Sequence, residues 1–221
     1  MVDNDQGILD GPSMGPEDGN PPDSIVILIH GYGANGQDLI GLASQWQALL
    51  PQTIFLAPNA PEPCPGAPGG FQWFPLTTLS KEERQEGTYG IAPLLNDYID
   101  RCLKKFNLSE DHLALVGFSQ GTMLSLHVGL RRKKQIAGIL GYSGLLTAPE
   151  RLMNEMETKP PVLLFHGDRD PVIPCQAMFE AVGALEAAGL KVEKHLSPNT
   201  AHNIAPDAHR KGGIFLATVL A

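Results

Sequence analysis

Apolar residues fall along this chain in short uninterrupted runs separated by longer mixed stretches. The runs are IVILI at 25–29, TIFLA at 53–57, LALV at 113–116, AGILG at 137–141 and VLLFH at 162–166; LKVEKHL at 190–196 instead alternates. Uninterrupted apolar strands are the kind buried on both faces of a parallel sheet. Helical stretches lie between and after them, near 38–49, 91–106, 120–133, 176–188 and 207–220. Strand and helix in alternation predict a single α/β domain over 25–221, with a mainly parallel sheet and helices on both faces. Residues 1–24 are rich in Gly, Pro, Asp and Asn, which predicts a flexible lead-in. Gly7 to Asp10 offers a possible edge strand there.

The run at 113–116 meets a Gly-x-Ser-x-Gly pattern formed by Gly117, Phe118, Ser119, Gln120 and Gly121. A strand that reverses directly into a helix leaves its turn residue in a cramped conformation, and glycines on either side let neighbouring chain pass close by. Met123, Leu124, Leu126, His127 and Leu130 follow with roughly helical apolar spacing. With strand before and helix after, Ser119 is expected at the carboxyl end of the sheet as a nucleophile.

A seryl hydroxyl is protonated at neutral pH and needs a base, and the base needs a carboxylate to orient it. In sheet enzymes of this kind the chain order is Ser, acid, His. After the strand at 162–166 come Asp168 and Asp170. Pro171 biases Asp170 toward an extended backbone, which suits a carboxylate projecting from a loop. Asp168 reads as a turn residue bonded to its own backbone. Among the seven histidines, His30, His112, His127 and His166 read as structural. His195 falls within the alternating strand, and His209 in the terminal helix. His202 alone sits in a loop directly after the last strand, so it is the expected base.

Glycines on both sides of Tyr32 let a backbone N–H turn inward, and the N–H of Gln120 supplies a second donor for a tetrahedral oxyanion. The segments HGYGANGQDL, Trp73 with Phe74, GFSQG, HGDRDPVIP and a late loop histidine resemble the phospholipase/carboxylesterase family of small α/β-hydrolases, which includes acyl-protein thioesterases. The resemblance runs from about Ile25 to the C-terminus. It implies that Ser119, Asp170 and His202 form the triad and that the backbones of Tyr32 and Gln120 form the oxyanion hole. The loop reading Thr200, Ala201, His202, Asn203 lacks the Gly that many members of the family place before the His.

The loop from Pro61 to Leu79 is long and holds Phe71, Trp73, Phe74 and Leu76. A loop of that length inside one domain is usually functional. Trp73, Phe74 and Leu76 are therefore candidates to line an acyl pocket, against the simpler reading that the aromatic pair pins a surface loop to the core.

Composition narrows the partners. A net charge of −8 argues against nucleic acid, since phosphate binding needs clustered Lys and Arg. The one basic run, Arg131 to Lys134, falls where the elbow helix should end and reads as a complement to its dipole. No apolar segment approaches the roughly 20 residues that span a bilayer, and no signal-peptide pattern is present, so a cytoplasmic location without stable membrane insertion is expected. Three cysteines, Cys64, Cys102 and Cys175, lack C-x-x-C spacing and read as reduced thiols. No metal or cofactor is expected. The expected activity is a serine carboxylesterase acting through an acyl-enzyme on a small or lipid-like ester, as a monomer or homodimer. An acyl-protein thioesterase or lysophospholipase is the alternative within the class, and a catalytically silent binding module the alternative outside it.

Overall fold

All six predicted strands enter one sheet. In the computed structural model, which describes residues 9–221, the elements run β1 (Ser13–Met14), β2 (Ser24–Ile29), α1 (Gly36–Ile40), α2 (Ala43–Trp46), β3 (Thr53–Leu56), β4 (Glu62–Pro63), β5 (Phe71–Gln72) and α3 (Lys81–Phe106). They continue as β6 (Leu113–Phe118), α4 (Gln120–Arg131), β7 (Gly138–Tyr142), α5 (Leu152–Glu155), β8 (Val162–Gly167), α6 (Gln176–Ala187), β9 (Val192–Ser197) and α7 (Pro206–Val219). The large sheet has the order β1-β3-β2-β6-β7-β8-β9, and only β1 is antiparallel to its neighbour. β4 and β5 form a separate two-stranded ribbon.

Side chains of a strand alternate between faces, so each buried strand feeds two cores. Ile25, Ile27 and Ile29 of β2 pack with α3, α4 and α6, whereas Val26 and Leu28 pack with α1, α2 and α7. Both sets are fully buried, at about 1.5–3 kcal/mol of transfer free energy per large side chain. Three residues of the basic run Arg131 to Lys134 form ion pairs: Arg131 with Glu155, Arg132 with Asp100 and Glu110, Lys134 with Glu110. α4 ends there, at Arg131.

Three local expectations change. Gly7 and Ile8 of the expected edge strand lie outside the described residues. Leu9 and Asp10 are not in a strand, and the edge is Ser13–Met14, paired with Leu56 and Phe55. The helix expected over 38–49 is two short ones, because Gly41 ends the first. The helix expected from residue 91 begins ten residues earlier, at Lys81. There Ser80 accepts from the Glu83 N–H, and Glu82 and Glu83 occupy the first turn. Gly87 and Gly90 weaken the helical signal, but Gly87 has a packing reason. A Cβ there would come within 2.4 Å of the Phe74 ring.

Among the described residues, no helix is long and apolar enough to cross a membrane.

Candidate active site

The elbow is tight because three chain segments converge on it. Ser119 has φ 54 and ψ −114, a left-handed conformation that costs a non-glycine residue about 1–3 kcal/mol and must be held by its surroundings. Its N–H donates to Tyr142 O at 2.8 Å, tying it to the end of β7. Thr122 Oγ1, one turn on, lies 2.8 Å from both Gly117 O and Tyr142 O and accepts from the Tyr142 N–H at 3.0 Å. A Cβ at Gly121 would stand 1.8 Å from Ile29 O, and one at Gly117 2.4 Å from Gly121 O. Both glycines are therefore required by close backbone approach.

Asp170 follows β8 in a turn that wraps its carboxylate. Oδ1 accepts from the N–H groups of Val172 and Ile173, at 2.8 and 2.9 Å. Oδ2 lies 2.7 Å from His202 Nδ1. A buried carboxyl is pushed up by desolvation, but the hydrogen bonds from His202, Ile173 and Val172 outweigh this and hold Asp170 below the usual carboxylate range. Since the carboxylate only accepts, His202 Nδ1 carries the proton and Nε2 presents its lone pair. The His202 ring packs on Phe118, the residue before Ser119, with centroids 5.0 Å apart. The imidazole is thus seated on the elbow itself. Asp168 steadies the same loop: its Oδ1 accepts from the Thr200 N–H at 3.1 Å, and the Arg169 N–H donates to Thr200 O. The missing Gly before His202 leaves the loop intact, because these bonds define it.

The other late histidines are engaged elsewhere. His195 pairs with Asp207 at 2.6 Å, and His209 stacks on Trp46 and contacts Leu42 O. Within the structural set, His30 is locked. The Ala60 N–H donates to its Nε2, so Nδ1 carries the proton and donates to Gly31 O at 2.7 Å. Burial pushes His30 down and keeps it neutral.

That lock shapes the loop opposite Ser119. A Cβ at Gly31 would lie 3.2 Å from Ser119 Cβ and 3.1 Å from the Phe118 ring, which places the loop against Ser119 and Tyr32 just beyond. Gln120 is the first residue of α4, so its N–H has no acceptor within the helix. Its side chain does a second task that sequence reasoning missed: the Trp73 N–H donates to Gln120 Oε1 at 3.0 Å, and Gln120 Nε2 donates to Phe74 O at 2.8 Å. A polar residue next to Ser119, at the start of a buried helix, was the available signal.

Trp73 and Phe74 are 1% and 3% exposed, and Trp73 Nε1 donates to His30 O at 3.0 Å. What the structure shows for this pair is anchoring of the 71–76 segment, with Leu76 half-buried at its end. A cavity of about 310 Å3 lies nearby, lined by Leu145, Leu146, Ala177 and Ala181, with Lys81, Arg84 and Glu180 charged around it. One of its walls, Leu145, directly follows Gly144, where a Cβ would be 2.9 Å from Ser119 O.

The family model described as Phospholipase/Carboxylesterase matches residues 16–220. The chain belongs to this family. A solved structure of esterase PE8 superposes with a TM-score of 0.92 at 39% identity, covering 96% of this chain and 99% of that one. Acyl-protein thioesterase 1 of Schizosaccharomyces pombe is 31% identical over 159 residues, 68% of this chain and 70% of its own. Escherichia coli esterase YpfH is 26% identical over 184 residues, covering 83% of this chain and 78% of the relative. Membership of the phospholipase/carboxylesterase family makes the chain a carboxylic ester hydrolase of the α/β-hydrolase fold.

Proposed function

We propose that the chain is a serine carboxylesterase in which Ser119, His202 and Asp170 act as nucleophile, base and orienting acid. The observation that carries the reading is the 2.7 Å contact of Asp170 with a histidine ring that packs on the elbow of Ser119. His202 Nε2 takes the Ser119 Oγ proton as Oγ bonds to the acyl carbon. The tetrahedral oxyanion draws on the N–H groups of Tyr32 and Gln120. His202 then passes the proton to the leaving oxygen as the ester C–O bond breaks, and a water repeats the sequence to free the acid.

The 39% identity to an esterase over nearly the whole chain favours oxygen esters. Thioester cleavage on acylated proteins is the second reading, favoured by the identity to acyl-protein thioesterase 1. For the acyl chain we assign the cavity behind Gly144 bounded by Leu145 and Leu146, together with the half-buried Leu76. Trp73 and Phe74 support that site by holding the 71–76 segment in place. The three free cysteines accord with a reducing, cytoplasmic setting.

Intact-mass analysis after fluorophosphonate treatment tests the reading. A stoichiometric adduct on Ser119, absent from Ser119→Ala, is expected; no adduct on folded protein removes the esterase and favours a silent module. A panel of p-nitrophenyl esters and acyl thioesters of graded length separates the two substrate readings.

A further inference from the structure

The catalytic chemistry proposed above uses one histidine against Asp170, but a second imidazole touches the same carboxylate. His166 is buried in β8, four residues before Asp170, and its Nε2 lies 3.2 Å from Asp170 Oδ2, the oxygen that faces His202. The same Nε2 is 2.8 Å from Ile173 O. A carbonyl only accepts, so Nε2 carries the proton. Nδ1 is buried with no hydrogen-bond partner. An imidazole kept in the interior with one nitrogen unpaired carries a cost that an apolar side chain of equal size would avoid.

Its geometry accounts for the cost. Ile173 closes the turn that holds Asp170: its N–H donates to Asp170 Oδ1, while its C=O receives His166. One imidazole therefore anchors the turn from outside and places its N–H dipole beside the free edge of Oδ2. We propose that His166 is a positioning residue that holds the Asp170 turn and directs the carboxylate toward His202.

Two consequences follow, both resting on the triad reading. Loss of the anchor lets the carboxylate turn away from His202 Nδ1, which lowers kcat. The displaced carboxylate no longer favours the imidazolium of His202, which moves the acid limb of the rate profile to lower pH. The side chains lining the small cavity beside His166, among them Thr122, Leu126, Leu145 and Met178, carry no ionisable group. Among the described residues, the titratable side chains paired with the Asp170 carboxylate are His166 from β8 and His202 from the loop before α7.

The test is the pH dependence of kcat/KM on a short p-nitrophenyl ester for His166→Phe and His166→Gln, each with a melting curve. His166→Phe keeps the ring volume and removes the donor. It should fold, lose on the order of 10-fold or more in kcat, and show an acid limb displaced downward. His166→Gln can place its amide nitrogen near the Nε2 position and should recover most of both. A folded His166→Phe with unchanged kcat and an unmoved acid limb overturns the proposal. If His166→Phe does not fold, His166→Asn takes its place, because its shorter amide leaves Ile173 O unpaired; wild-type kinetics in that variant overturn it equally. Asp170→Asn separates the failures: wild-type activity there removes the triad reading itself, whereas strong loss there with no effect at His166 removes only this inference.

Discussion

His202 Nδ1 lies 2.7 Å from Asp170 Oδ2, and neither of the two other late histidines meets that carboxylate. His195 is bound to Asp207, which that hydrogen bond holds below the ordinary carboxylate range, and His209 is stacked on Trp46. The division of labour among the three rings is therefore testable one at a time.

His202→Ala should lower kcat by on the order of 10³-fold with the fold retained, since an unassisted hydroxyl is a poor nucleophile. His195→Ala and His209→Ala should leave kcat within a few-fold, with His209→Ala mainly lowering the melting temperature. Adding Ser119→Ala to His202→Ala should cost little more, because the members of a triad act as one unit. Steady-state kinetics and circular dichroism on the four variants check this; strong loss in His209→Ala alone would move the base.

Gly31→Ala and Gly121→Ala should fail in different ways. At Gly31 the added methyl meets side chains at 3.1 and 3.2 Å, so the protein should fold but lose kcat as Ser119 is displaced. At Gly121 it meets backbone oxygen at 1.8 Å, which no rotamer relieves, and the expected outcome is insoluble protein or a greatly lowered melting temperature. Gly41→Ala, with nothing within 4 Å, is the control and should match wild type.

Trp73→Ala should destabilise the protein by about 3–5 kcal/mol, the usual cost of emptying a fully buried aromatic site. Activity should fall alike for short and long esters, since the whole segment held by Gln120 and His30 loosens. Leu145→Trp should instead shift the preference toward shorter acyl chains at nearly unchanged stability, by filling the cavity behind Gly144. A chain-length panel with paired denaturation curves distinguishes the two.

Acid sensitivity should trace in part to His127. Burial, with Arg131 nearby, pushes its pKa down from 6.5 to about 4. The folded state thus resists a proton that the unfolded chain accepts, so stability is fully present above about 6.5 and declines as pH falls toward 4. Asp170 works in the same sense lower down: its depressed pKa contributes stability above the normal carboxylate range that is lost as it protonates. Replacing His127, whose Nδ1 has no partner, with Phe should flatten the fall in melting temperature between pH 6.5 and 4, leaving the steeper loss below it. An unchanged slope would show that His127 does not govern this range.

What the sequence determined alone was whatever depends on covalent neighbours. Short apolar runs bounded by turn residues favour buried strands, and a strand running into Gly117–Gly121 and then into helical spacing favours a sharp turn with Ser119 at its apex. The order of Asp170 and His202 along the chain, each in a loop after a strand, was legible for the same reason. Tertiary packing decided the rest, because it joins residues that no local pattern relates. Trp73 and Phe74 are apolar whether they line a pocket or anchor a loop, and it is bonds to the Gln120 amide, 46 and 47 residues away, and to His30 O that hold them in the core. The edge strand Ser13–Met14 exists through its pairing with β3, not through its own composition. His166 reads as one more histidine before a glycine until the Asp170 turn folds back over it, since a side chain's partner is set by where the sheet brings the backbone, not by the residues beside it.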